Sequence, residues 1–245
     1  MIDDNAWLDW FLNVQKCLVF KIFPPEFLVV IILHPANFLY LTKPRKIQEW
    51  VSLRNPKKYV FRDVALFQGQ VYALCDNGSI VKITFHESDL TATATHLDVS
   101  KLEDKTAERS YLVASPDDLY GVFQYDEEDG GWTPFRVSKL KFKVYKLNFD
   151  SLRWEPVLSI GNYAFFVGGG NSLCFSPVSS NNYRRNCIYF TNEDSLNFPN
   201  RFVYGIFELG TRRPDLRRVN GEGAPLPHSC PTWIAYDLTP PNFRN

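Results

Sequence analysis

The sequence predicts an all-β domain and, within that class, a β-propeller. Three observations carry this. Short apolar runs recur with Pro, Gly and Asn between them, which is the punctuation of strands and turns. Large rings are abundant, with 20 Phe, 12 Tyr and 6 Trp making up 16% of the chain, and such rings suit the half-buried faces of pleated sheets. A unit of strand, turn, tryptophan and glycine-punctuated hairpin also occurs twice. A length of 245 residues fits one such domain.

Taken in order, the chain opens with Trp7, Trp10, Phe11 and Val14 at helical spacing behind the capping residues Asp3, Asp4 and Asn5, so a short helical segment is expected over 1–17. The apolar stretch 18–33 is broken by Lys21, Pro24, Pro25 and Glu26. It reads as strands, because a bilayer span needs roughly 20 apolar residues in one helix. Strands are expected at 18–23, 27–33, 38–41, 71–74 and 80–85. In the first copy of the repeat, Phe38-Leu39-Tyr40-Leu41 leads to Trp50 and then to a hairpin through Phe67-Gln68-Gly69-Gln70. In the second, Val144-Tyr145-Lys146-Leu147-Asn148-Phe149 leads to Trp154 and then to Ala164-Phe165-Phe166-Val167-Gly168-Gly169-Gly170. The tryptophans are 104 residues apart, near twice the roughly 40 to 50 residues of a four-stranded propeller blade. A weaker third copy, running from Tyr204 to Arg213, has no tryptophan after it. A sandwich also has short strands at such spacing; the recurrence is what favours radial repetition of four-stranded sheets. The propeller is expected over 18–239, with 240–245 as a tail.

Lys plus Arg equals Asp plus Glu at 27 each, so no net field draws the chain to nucleic acid or to an acidic membrane, and neither partner is expected. The five cysteines, Cys17, Cys75, Cys174, Cys187 and Cys230, lie far apart and are odd in number. That argues for buried free thiols over a disulfide framework or a zinc site. The acidic start is unlike a secretory signal. An intracellular setting, cytoplasmic or nuclear, is therefore expected, with Asn77-Gly78-Ser79 as a turn.

No enzyme chemistry is expected. Gly168-Gly169-Gly170 lacks the Lys-Ser/Thr and the helix of a phosphate loop, and reads as a tight turn. The run Asp126-Glu127-Glu128-Asp129 lacks the alternation of a calcium loop. The histidines His34, His86, His96 and His228 lack metal-pair spacing, and Ser115 sits in Ala-Ser-Pro, outside a nucleophile elbow. No cofactor or metal is expected. Two loops do suit contact, one through Trp132 and Arg136 and one through Tyr183, Arg184 and Arg185, because aromatics and Arg anchor protein interfaces most often. These five residues are the expected partner-binding set, with packing of Trp132 and Phe135 beneath their own loop left as an alternative.

Several segments then fall in the order of a known family. They are the hairpin through Val64-Ala65-Leu66-Phe67 and Val71-Tyr72-Ala73-Leu74, then Tyr111-Leu112-Val113, the Phe142 to Trp154 stretch, and Ala164-Phe165-Phe166-Val167-Gly168-Gly169-Gly170-Asn171-Ser172. Asn186-Cys187-Ile188-Tyr189-Phe190-Thr191, Gly205-Ile206-Phe207-Glu208-Leu209 and Pro231-Thr232-Trp233-Ile234 follow. In this the chain resembles the plant family of F-box-associated kelch-like β-propellers of the "kink suppressed" type, formerly a domain of unknown function. The resemblance implies a propeller that presents a target protein, tied by an N-terminal F-box to a Skp1-type adaptor and a cullin-based ubiquitin ligase. Residues 1–16 leave no room for an F-box, so engagement of a Skp1-type adaptor is not expected. The opening blade reads as shortened. Rival readings are a stand-alone scaffold or truncated member without a ligase connection, and a propeller hydrolase. Carboxylates converging at the centre would favour the hydrolase, and an Arg-aromatic end face would favour binding.

Overall fold

The computed structural model describes residues 14–23, 26–33, 38–42, 50–54, 57, 60–86, 91–99, 107–126, 140–176, 183–191 and 203–218. They form 17 strands in four sheets. The first sheet is the antiparallel meander β1 (Val14–Phe23), β2 (Glu26–Leu33), β3 (Phe38–Thr42) and β4 (Val51–Arg54). The second is β5 (Phe61–Phe67), β6 (Gln70–Cys75), β7 (Ile80–His86) and β8 (Thr91–Leu97). The third is β9 (Arg109–Ala114), β10 (Leu119–Asp126), β11 (Leu140–Asn148) and β12 (Arg153–Val157). The fourth holds β13 (Ala164–Val167), β14 (Leu173–Phe175), β15 (Cys187–Thr191), β16 (Val203–Glu208) and β17 (Arg213–Arg218), in the order β14-β13-β15-β16-β17.

Local chemistry explains the pairings. Between β5 and β6 the two turn residues Gln68 and Gly69 both have positive φ, 47° and 73°, the two-residue hairpin whose twist matches its strands. Asn77 turns β6 into β7, its Oδ1 accepting from the Ser79 amide at 3.1 Å and the Ser79 hydroxyl at 2.7 Å, so the expected turn is present. The β11–β12 turn is an Asx turn, in which Asn148 Oδ1 accepts from the amides of Asp150 and Ser151, each at 3.0 Å.

The sheets stack in sequence as the four blades of a propeller arrangement, β5 contacting β1 and β2, β9 contacting β5 and β6, and β14 contacting β9. Apolar faces meet between them. Leu18, Val30, Ile32, Leu39, Phe61 and Ile83 fill the space between the first and second sheets. Phe67, Leu74, Ile80, Leu112, Leu147 and Trp154 join the second to the third, and Tyr120, Phe142, Phe165, Phe190 and Phe207 join the third to the fourth. Phe142 sits 5.0 Å from Phe190 and 5.2 Å from Phe207, tilted to both. Each such side chain contributes about 1.5–3 kcal/mol on burial.

Both tryptophans of the repeat stand at the start of the fourth strand of a blade, Trp50 directly before β4 and Trp154 on β12. The blades concerned are the first and third, which is why the spacing is near two periods. Trp154 is buried and its indole N–H donates to the Gly78 carbonyl at 2.7 Å, while Trp50 is half-buried. The third copy lies on β16 and its turn into β17.

Three differences from the sequence expectation have physical causes. The helical segment expected over 1–17 does not extend through its last residues, because β1 begins at Val14; Trp7, Trp10 and Phe11 lie outside the described residues. From Lys16 to Val19 burial alternates, Lys16 and Leu18 in and Cys17 and Val19 out, since the ladder offered by β2 imposes the two-residue period of a strand. This long first strand also gives the opening blade its full four strands in place of a shortened set. Finally, Gly168 to Gly170 do form a turn, but β14 folds back antiparallel on β13 and β15 then pairs parallel to β13, so the fourth sheet has an extra inner strand. The boundaries at 239 and 240–245 lie outside the described residues.

Candidate protein-binding surface

One buried carboxylate ties the four sheets together. Asp63 on β5 is 0% exposed and takes three hydrogen bonds and one ion pair, drawn from all four sheets. Its Oδ1 is 2.8 Å from the Val64 amide and 2.8 Å from the Lys16 ammonium of β1, itself 5% exposed. Its Oδ2 accepts from the Leu112 amide of β9 at 2.8 Å and from the Ser172 hydroxyl, in the β13–β14 turn, at 2.7 Å. Lys16 Nζ also lies 5.3 Å from the centre of the Tyr111 ring. A carboxylate holding three donors with a cation beside it acts as a cross-brace between the sheets. Cys174 on β14 is poorly placed as a nucleophile, because burial pushes its thiol up to about 12. Cys75 and Cys187 are buried free thiols, as expected, whereas Cys17 is exposed.

One serine, histidine and aspartate do adjoin on the second blade. His96 Nε2 lies 3.2 Å from Ser79 Oγ, and its Nδ1 is 3.8 Å from Asp98. The Ser79 hydroxyl donates to Asn77 Oδ1 at 2.7 Å, and Asp98 is held by Lys57 at 3.0 Å, so the histidine clips the Asn77–Ser79 turn. Ser115 closes the β9–β10 turn, its Oγ accepting from the Asp118 amide at 2.9 Å and donating to the Asp118 carbonyl at 3.1 Å. Among the described residues no group of His, Cys, Asp and Glu gathers to hold a metal ion. Asp126 ends β10, and the rest of the acidic run lies outside the described residues, as do His34 and His228.

The surface equipped for contact lies at one end of the fourth blade. Asn186, at φ 56°, fastens three connections together. Its Oδ1 accepts from the Ile160 amide at 2.9 Å, its own amide donates to the Tyr163 carbonyl at 2.9 Å, and its carbonyl accepts from the Leu209 amide at 3.1 Å. The β12–β13 loop, the segment ahead of β15 and the β16–β17 turn are thus one unit. Three of the sequence-expected residues sit on it. Tyr183 is 39% exposed, and its ring stands edge-on to Phe166 at 5.0 Å and to Tyr189 at 6.0 Å. Arg184 donates its amide to the Tyr189 hydroxyl at 2.8 Å, and its guanidinium is 57% exposed, 3.7 Å from Asp215. Arg185 reaches across to Asn162 Oδ1 at 3.2 Å. Trp132 and Arg136 lie outside the described residues. Sequence reasoning missed Leu158, which is 73% exposed in the β12–β13 loop, and Asn186 itself. The available signal was an Asn directly before an apolar strand run, where a left-handed residue is common.

Comparison with known proteins puts this geometry in context. The model of the KIB1-4 beta-propeller family matches residues 9–208. The F-box protein At2g17036 of Arabidopsis thaliana is 24% identical over 203 residues, 76% of this chain and 48% of that protein. The F-box protein At4g35733 of Arabidopsis thaliana is 24% identical over 175 residues, 66% of this chain and 43% of that protein. The chain thus spans less than half the length of either relative. Among solved structures, the N-terminal domain of Nup159 overlays with a TM-score of 0.37 at 13% identity, covering 82% of this chain and 49% of that one.

Proposed function

The chain belongs to the KIB1-4 beta-propeller family, and on that premise we propose that it is a non-catalytic protein-binding propeller, the target-recognition part of an F-box-type ubiquitin-ligase adaptor. The F-box names of its relatives support the ligase connection. The observation that carries the binding role is the Asn186-fastened surface, where Tyr183, Arg184 and Arg185 stand on a rigid base. Rigid aromatic and Arg anchors bind at low ordering cost. A cross-bracing carboxylate, with a clipped histidine on the second blade, leaves little support for a hydrolase. The described blades act on the target side, because they are strands and the resemblance assigns the adaptor contact to a helical F-box. We place the encounter in the cytoplasm or nucleus, where the free thiols Cys75 and Cys187 are at home.

The test is affinity capture from plant extract with the full chain and with its Arg184→Ala/Arg185→Ala variant, read by mass spectrometry. A target held by the parent and lost with the variant is expected; identical protein sets from both would refute the assignment. A parallel pull-down with a purified Skp1-type adaptor is expected to recover none, and stoichiometric capture would move the adaptor contact onto this chain.

A further inference from the structure

The three connections fastened by Asn186 carry charge of one dominant sign. Arg184, Arg185 and Arg212 are all exposed there. Two carboxylates share the area. Asp215 lies 3.7 Å from Arg184, and Glu208 accepts from the Thr211 hydroxyl at 3.3 Å. Three guanidinium groups against two carboxylates leave a local positive excess, in a chain whose positive and negative charges balance at 27 each, that an anionic partner complements. On the same connections Leu158 is 73% exposed and Tyr183 is 39% exposed, so the unit that carries the guanidinium groups also offers apolar area.

Resting on the protein-binding reading above, we infer that this surface takes an acidic polypeptide segment bearing one large apolar side chain, with the carboxylates over Arg184, Arg185 and Arg212 and the apolar group against Leu158 and Tyr183. Arg guanidinium forks match carboxylates in pairs, and a buried apolar anchor within a charged rim is the usual anatomy of a peptide-scale contact. Asn186 is a positioning residue. It touches no partner and holds the three connections at the spacing that lets one segment bridge them.

The probe is a fluorescein-labelled peptide of about a dozen residues, alternating Glu and Ser with Leu at its centre, long enough to cross the surface when extended. Anisotropy is expected to show binding that weakens as salt rises. It should fall about tenfold or more in Arg185→Glu/Arg212→Glu and recover in Arg185→Lys/Arg212→Lys to within a few-fold. Leu158→Ala is expected to weaken the Leu peptide several-fold and leave a peptide with Ser at its centre unchanged. Equal binding of a Lys-for-Glu peptide, or indifference to the Glu double variant with an unchanged unfolding midpoint, would overturn the inference. Tighter binding of a single-stranded RNA of similar length would overturn it in favour of a nucleic-acid ligand. If extract capture depends on Arg184 and Arg185 while the acidic peptide fails, the binding role stands and the partner chemistry falls.

Discussion

Removing the carboxylate of Asp63 is expected to be the most damaging single polar substitution in the described core. Asp63→Ala strands four groups at once, the Val64 amide among them. The Lys16 ammonium, 2.8 Å away and 5% exposed, becomes an unpaired buried cation, which costs about 3–5 kcal/mol when its partner is deleted. The buried Leu112 amide loses its acceptor at 2.8 Å, an orphaned donor costing about 1–3 kcal/mol, and the half-buried Ser172 hydroxyl loses one at 2.7 Å at lower cost. These terms share one site and do not add fully. The lower end already consumes most of a typical domain stability of about 5–15 kcal/mol. Asp63→Asn is gentler in shape, but its amide is neutral and so leaves Lys16 uncompensated.

The measurement is urea unfolding followed by tryptophan fluorescence, with Trp154 as a buried reporter between the second and third blades. Asp63→Asn is expected to lower stability by about 3 kcal/mol, and Lys16→Met to cost less, because Asp63 keeps its three uncharged donors. The double variant should be more stable than the sum of the single losses implies by at least about 1 kcal/mol. An Asp63→Asn midpoint indistinguishable from the parent, or strict additivity with Lys16→Met, would refute the view that this ion pair joins the blades.

Gly205→Ala is expected to destabilise by about 1–3 kcal/mol, because a Cβ there would overlap the ring of its cross-strand partner Phe190, which Phe142 holds in place; differential scanning calorimetry reads the shift. His96 has its pKa lowered by burial first and then by Lys57, against the opposing pull of Asp98 and the Leu97 backbone. Its contribution to stability is therefore full above about 6.5 and lost as pH falls from there through the lower folded value. His96→Gln should flatten that part of the urea-midpoint profile, and an unchanged slope would exclude His96 as its source. Tyr183→Ala should cost about 1–2 kcal/mol through its lost contacts with Phe166 and Tyr189, whereas Arg184→Ala/Arg185→Ala should stay within about 0.5 kcal/mol of the parent; equal costs would mean the arginines are structural too.

The repeat was legible because it is written in local chemistry. A glycine at φ 73° after Gln68, an Asn turning the chain at 77 and a tryptophan ahead of a fourth strand each leave a mark within a few residues. The start of β1 was not legible, because Trp7, Trp10, Phe11 and Val14 fit a helical period while the deciding fact, a free ladder on β2, lies a dozen or more residues ahead in the chain. The parallel β13–β15 pairing was hidden for the same reason. Gly168-Gly169-Gly170 announces a turn and says nothing about which side of β13 the returning chain will take.

The binding surface divides along the same line. Tyr183, Arg184 and Arg185 could be nominated from residue type alone, since aromatic and guanidinium groups in a polar loop suit contact wherever they sit. What makes them a surface is supplied from elsewhere: Asn162 from one loop, Leu209 from a turn, and Phe166 and Tyr189 from the sheet below. Asp63 shows the same logic inside the protein. Its strand reads Phe-Arg-Asp-Val-Ala-Leu-Phe, and the period-two positions Phe61, Ala65 and Phe67 are apolar, so an acid at 63 is a charge in a core register. That anomaly was visible. Its resolution was not, because the cation that neutralises it comes from residue 16 and the hydroxyl that completes it from residue 172. A buried charge in a strand register is thus a sequence-level sign that distant segments converge on it, and the identity of those segments is a property of the ring.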